Sequence, residues 1–410
     1  MDVVIERCAG LDVHKETVVA CVRTPGNDRR QRHGEVKTFA TVMRGLLELL
    51  EWLRSAGVTH VAMESTGVYW RPVYAVLEGE FEVLLVNARH VKNVPGRKTD
   101  VRDCEWLAQL LECGLLRGSF VPPQLIRDLR DLTRLRKSLV RERGHQVNRI
   151  AKTLKLANIK LGSVATDIMG KSGRAILEAL IAGEDDPQQL AQLAQGLLKK
   201  KIEALREAVS GRMSPHYGFL LSQHLKLIDA LDAQIGELDA RIEESMSPCA
   251  EAYQALCTVP GIAHRSAQAI LAEIGTDMSC FPSAGHLASW AHVCPGNHES
   301  AGKRHAVGTG KGNCWLRATL QEVAWAAART KRSYYHALYH RLRARRGAKK
   351  AIVAVQHALL VAIWHMLKHN VTHQDLGADY FERRNKTRIC RHHVHRLEQL
   401  GYTVIIQEAA

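Results

Sequence analysis

The sequence predicts an α/β N-terminal domain, a coiled-coil helical middle and a mainly α-helical C-terminal domain, and three observations predict it. From residue 3 to about residue 111, apolar runs alternate with helical periodicities in the order β-β-β-α-β-α-β-α. Leu221, Ile228, Ile235 and Ile242 recur every seven residues, with Leu231 and Leu238 at the intervening seam. Beyond residue 248 nearly every periodicity is that of a helix.

Taken in order, residues 3–13 and 17–23 are β-rich runs around the polar break His14-Lys15-Glu16. A third extended run, 34–38, follows the turn Pro25-Gly26-Asn27-Asp28. Residues 43–53 and 69–77 have helical spacing, 58–63 and 81–86 read as strands, and Val101, Trp106, Leu107, Leu110 and Leu111 recur as in a helix with Thr99 as its N-cap. This order is that of the ribonuclease H-like fold.

Four acids fall at particular places in that order. Asp12 sits amid apolar neighbours on the first strand, where a carboxylate needs a partner or a metal. Glu64 ends the fourth strand, and Asp100 and Asp103, three apart, share one face of the last helix. Singly, these read as a strand-end cap, a turn residue and a solvated first turn. In a ribonuclease H-like sheet the first and fourth strands are neighbours and the last helix crosses them, so the four converge. Clustered carboxylates of this kind hold Mg²⁺ or Mn²⁺ and handle phosphodiesters.

The bulk composition agrees with such a substrate. The 410 residues carry a formal charge of +15, which favours a polyanionic partner such as nucleic acid over an anionic membrane surface. No apolar run reads as a membrane span and no signal peptide opens the chain, so a cytoplasmic protein is expected. The ten cysteines include no C-x-x-C pair, which argues against a zinc ribbon or disulfide framework and for reduced, buried thiols.

Residues 124–160 form a long amphipathic helix, with Leu125, Leu129, Leu132, Leu139 and Ile150 as its stripe. Arg127, Arg130, Arg134, Lys137 and Arg141 are among the bases crowding its other faces, a surface suited to tracking phosphates. Gly170-Lys171-Ser172 lacks the glycine spacing of a P-loop. The heptads of 221–242 pack either against the 124–160 helix or across a dimer. Ser247-Pro248 marks a boundary. Residues 256–262 and 266–274 read as a helix-hairpin-helix or, equally, as an ordinary helical turn in a core.

The segments 295–304 and 308–313 make a Gly- and Lys-rich loop between helices. In it Ser300 stands beside Gly302, Lys303 and Arg304, with Lys311 further on. Cationic neighbours suit a serine that attacks a phosphate, although most loop serines do nothing of the kind. The helices that follow carry the run 341–346, rich in arginine, and an apolar helix at 349–368. The chain then runs as a basic extension to a strand-like 402–406, and its Cys390, His392, His393 and His395 lack finger spacing.

Gly10-Leu11-Asp12-Val13-His14-Lys15, Glu64-Ser65-Thr66-Gly67 and Lys98-Thr99-Asp100-Val101-Arg102-Asp103 resemble the three acidic motifs of the DEDD transposases of the insertion-sequence-110 family. The loop around Glu299-Ser300 resembles the C-terminal transposase domain of the same family. The resemblance implies a RuvC-like domain over 1–122 whose Asp12, Glu64, Asp100 and Asp103 bind Mg²⁺ or Mn²⁺. It implies a transposase domain over 248–370, between the basic helical and coiled-coil region of 123–247 and the basic extension of 371–410 read above. It further implies that Ser300 attacks DNA to form a phosphoserine link, with Lys303, Arg304 and Lys311 against the nucleic acid. The partners implied are donor and target DNA, a structured non-coding guide (bridge) RNA, and further copies of the chain in a dimer or tetramer. A RuvC-type junction nuclease and a non-catalytic nucleic-acid binder are the alternatives.

Overall fold

Alternation along Cys8–Val13 puts Ala9, Leu11 and Val13 on one face of a strand and Cys8, Gly10 and Asp12 on the other. In the computed structural model these residues are the central strand, β1, of a five-stranded sheet. The structure describes residues 3–26, 32–65, 67–87, 103–294, 299–300, 302–304, 310 and 312–406, with the side chains of Ser300 and Arg304 excepted. By contacts the chain divides into two compact units, Met1–Val121 and Pro122–Ala410.

In the first unit β1 pairs antiparallel with β2 (Thr17–Pro25), which pairs antiparallel with β3 (Arg32–Ala40). On its other side β1 runs parallel to β4 (His60–Glu64), and β4 parallel to β5 (Glu82–Val86), giving the order β3-β2-β1-β4-β5. The polar break between β1 and β2 is closed by the His14 N–H donating to the Thr17 carbonyl at 2.9 Å. The first strand starts later than expected. Val4 and Ile5 instead donate their N–H groups to the carbonyl of Glu112 at 2.9 and 3.1 Å.

Two helices, α1 (Met43–Ser55) and α2 (Trp70–Leu77), cover the Leu11 face. Leu46, Leu49, Leu50 and Leu53 of α1 and Val73 and Leu77 of α2 join its core with Val61 and Met63. The opposite face is covered by α3 (Asp103–Glu112), whose Leu107, Leu110 and Leu111 pack on Cys8, Ala62 and Val86. The expected N-cap Thr99 lies outside the described residues. At the far end of α3 the buried Glu112 carboxylate is paired with Arg23 and, at 2.6 Å, with Arg32, tying the helix to β2 and β3.

The second unit is built on two long helices, α4 (Gln124–Leu156) and α9 (Pro215–Ser245). Arg136 meets Asp239, Arg143 meets Asp232 and Gln146 meets His224, so the pair is antiparallel. Of the seven-residue repeat, Leu221, Ile228, Leu231, Ile235 and Ile242 are buried along α9. Between them, α5 (Leu161–Val164), α6 (Lys171–Ala182), α7 (Pro187–Gln192) and α8 (Ile202–Ala208) fold into a small apolar core with the 150–154 end of α4 and the start of α9.

Next come α10 (Ala250–Cys257), α11 (His264–Ile274), α12 (Ala284–Trp290), a two-stranded hairpin of β6 (Glu299–Ser300) and β7 (Lys303–Arg304), α13 (Cys314–Arg329), α14 (Tyr334–Arg346) and α15 (Ala348–His369). The glycine between α10 and α11 serves packing. Gly261 has φ of +88°, and a Cβ there would lie 2.6 Å from the Ala327 nitrogen and 2.7 Å from the Val323 carbonyl of α13.

Three expectations are corrected here. One helix, α15, is long and apolar enough to cross a membrane; its Val355, Leu359, Leu360 and Ile363 are buried inside the unit and its Trp364 indole donates to the Phe281 carbonyl at 3.0 Å. The tail is helical, as α16 (Tyr380–Arg384) and α17 (Lys386–Gln399), and 402–406 is in no strand, because nothing among the described residues offers it a ladder partner. The ten cysteines are free, but Cys280 and Cys314 are exposed. Those in the sheet and on α3 behave as expected: burial pushes the Cys8 and Cys104 thiols up to about 11 and Cys21 to about 12.

Candidate functional site

The sheet brings three of the four acids towards one edge. β1 and β4 are parallel, with Leu11 opposite Met63, so Asp12 and Glu64 follow at the carboxyl ends of neighbouring strands. Alternation places both on the face covered by α3. Helix α3 runs antiparallel to β1: a Cβ on Gly10 would lie 2.2 Å from the Cys104 carbonyl oxygen and 2.4 Å from the Ala108 nitrogen. With the helix seated so low, its first residue, Asp103, is at the Asp12 end of the strand. The charge of Asp12 is near enough to raise the Cys104 thiol pKa, behind burial and Glu105.

Asp12 is partly exposed and its Oδ2 lies 3.0 Å from His14 Nε2, so the imidazole is a local competitor for any cation. Asp100 lies outside the described residues. Among the described residues no group of three or more His, Cys, Asp or Glu side chains is close enough to hold a metal. Asp12, Glu64 and Asp103 nonetheless fit a hard divalent cation in kind, since every donor is a carboxylate oxygen.

In the second unit Ser300 is the last residue of β6 and pairs with Lys303, the first of β7. Gly302 in the turn has φ of +73°, a left-handed conformation that glycine takes at least cost. Lys303 is exposed, while Lys311 lies outside the described residues. The base of the loop is closed by His292 (φ +55°), whose ring lies against Gly310 and Gly312. A Cβ on Gly310 would fall 2.2 Å from His292 Nδ1, and one on Gly312 would fall 2.6 Å from its Cδ2. Neither position has room for a Cβ beside that ring.

Just beyond, Asn313 caps α13, its side-chain oxygen accepting from the N–H groups of Trp315 and Leu316 at 3.0 Å each. Its amide donates to Glu273 at 2.6 Å. Glu273, on α11, is only 2% exposed and is held bidentately by Arg134 at 2.8 and 2.8 Å. Arg130 donates to the Glu273 carbonyl at 2.7 Å and to that of Ala272 at 3.1 Å. One buried carboxylate therefore joins α4, α11 and the start of α13.

The basic helix divides accordingly. Arg130 and Arg134 are engaged with Glu273, Lys137 lies 3.1 Å from Thr319 and 3.2 Å from Glu322, and Arg127 donates to the Pro122 carbonyl at 3.0 Å. A guanidinium held inside the protein is not available to a phosphate. Arg141 is exposed. Arg136, also on α4, is buried; burial lowers its pKa against the opposing effect of the hydrogen bond it donates to Asp239, and it reaches Gln268 at 2.7 Å. The residues that pattern reading passed over are Glu273, Asn313, His292 and Glu112. For Glu273 a signal existed: a lone acid within Leu271-Ala272-Glu273-Ile274 demands a buried partner.

Comparison with known proteins bears on both units. The DEDD transposase profile of IS110 type matches residues 9–159, and the transposase profile of the IS116/IS110/IS902 family matches 253–340. The pilin gene-inverting protein of Moraxella lacunata is 23% identical over 377 residues, covering 88% of this chain and 95% of that one. The y4rJ protein of Sinorhizobium fredii, described as a transposase, is 27% identical over 299 residues, 67% of each chain. The class these define is an enzyme of DNA transposition or recombination. The chain belongs to the IS110 family of transposases.

Proposed function

We propose that this transposase cuts and rejoins DNA of a mobile insertion sequence through a covalent phosphoserine link at Ser300, assisted by Asp12, Glu64, Asp100 and Asp103. The observation that carries the reading is the placement of Asp12 and Glu64 at adjacent strand ends on the face crossed by the helix that starts at Asp103. These carboxylates would hold Mg²⁺ or Mn²⁺, and the bound ion supplies charge neutralisation at a phosphodiester. Ser300 Oγ bonds to phosphorus as one P–O ester bond breaks and the departing deoxyribose oxygen takes up a proton; attack by another DNA end reverses the step and frees the serine. Lys303, exposed beside Ser300, supplies positive charge as the phosphate becomes five-coordinate.

A RuvC-like fold for the first unit is supported by its strand order and by the family match. Guidance by a structured RNA, with donor and target DNA chosen by base pairing, is carried over from the family resemblance and is compatible with the charge of +15. Assembly into a dimer or tetramer is part of the same reading.

Ser300→Ala and Asp12→Asn are both expected to abolish recombination on a plasmid carrying both DNA sites, and Ser300→Ala to abolish the protein–DNA adduct seen on a denaturing gel. A Ser300→Ala protein that still recombines at full rate would overturn the phosphoserine reading, and one that only cleaves without rejoining would point to a water-using nuclease of RuvC type.

A further inference from the structure

Helix α17 has no buried residue, and Arg388, Arg391, His392 and His395 recur on it at i, i+3, i+4 and i+7. That spacing gathers them on one face, with Cys390, Val394 and Leu397 on the other. Among residues 383–397 there is no aspartate or glutamate, and the same holds for 341–350, where Arg341, Arg343, Arg345, Arg346, Lys349 and Lys350 are all exposed.

These two acid-free segments are joined. Tyr380 and Phe381 of α16 pack on Tyr334 at 5.3 Å between ring centroids, and the Arg341 guanidinium lies over the Phe381 ring at 4.6 Å. Arg341 and Arg388 then line one cleft of about 450 Å³, together with Phe381, Asn385 and a single acid, Glu382. The basic stripe of α17 is exposed to solvent beside a second exposed basic segment. Its charge is complementary to a polyanion.

We propose that the α14–α17 surface, centred on Arg388 and Arg391, is a docking site for the phosphate backbone of duplex DNA. Its basic residues, in 341–350 and 388–391, lie beyond residue 340, outside both family matches, and are separate from the phosphoserine reading. Duplex DNA is taken as the occupant over structured RNA because the chain belongs to a family of transposases, which act on DNA, and the contacts are to phosphates. The surface adds sequence-independent hold on the DNA.

The test is the salt dependence of binding by the full-length chain to a short labelled DNA duplex, measured by fluorescence anisotropy between about 50 and 200 mM salt. Arg388→Gln/Arg391→Gln is expected to weaken binding and to make the slope of log K against log salt shallower by about 2, one per lost phosphate contact. Arg206→Gln/Arg241→Gln removes the same two charges from exposed positions on α8 and α9 and is expected to leave the slope unchanged. All four arginines are on the surface, so unchanged thermal unfolding checks that each protein is intact. Equal changes in both variants, or none in the first, overturn the proposal. So does an Arg388→Gln/Arg391→Gln protein that loses affinity for an RNA hairpin while holding DNA as before.

Discussion

In the N-terminal unit, helix α3 and its Asp103 are located by backbone against backbone: Gly10 lets the Cys104–Ala108 turn lie directly on β1. The loop that carries Ser300 is located differently. Its outgoing end is fixed by side chains, through Asn313, the buried Glu273 and the fork of Arg134. The first arrangement depends on an atom being absent, and the second on a charge being present. They should therefore fail in different ways, one by a steric push that displaces a helix, the other by leaving guanidinium groups without their counter-charge.

The largest expected effect is in the second region. Glu273→Ala strips the carboxylate from Arg134 and Arg130, neither of which can turn fully to water, and should destabilise the protein by about 3 kcal/mol, read as a lower urea midpoint. A near-neutral result would mean that the loop base is set by the His292 packing alone. Gly10→Ala comes next. Its Cβ meets backbone atoms that cannot rotate away, so about 1–3 kcal/mol should be lost, and restoring small residues on α3 should not rescue it.

The smallest effect marks the floor of the comparison. Arg174 holds Asp229 at 2.6 and 2.8 Å on the surface, and its hydrogen bonds keep the Asp229 carboxyl below the usual range. A carboxyl depressed in the folded state stabilises fully above its unfolded pKa of about 3.9, and that stability is lost as pH falls through the folded value. Arg174→Gln should thus lower stability at pH 7 by less than about 1 kcal/mol, and less still on acidification to pH 3.

Much of the sheet was legible because strand alternation and β-breaking turns are local signals. The polar break at His14-Lys15-Glu16 and the runs at 17–23, 58–63 and 81–86 each correspond to a turn or strand of the structure. The start of β1 was not legible, since whether Val4 and Ile5 join a ladder depends on the carbonyl of Glu112, more than a hundred residues away. The acids' approach on one face could be argued from strand order. The Glu273 hub could not, because its partners come from α4 and from Asn313, and nothing local in either announces the other.

By itself, the sequence determined the elements, the family and the charge: period two and period 3.6, three acidic motifs, and a chain whose net charge is +15. Tertiary structure alone decided which of the bases remain free. Arg130, Arg134 and Arg136 look the same as Arg141 along the chain, yet the first three are turned onto Glu273, Asp239 and Gln268 while Arg141 faces solvent. The reason is physical. A charge's availability depends on what desolvates and neutralises it, and those groups are brought to it only by the fold.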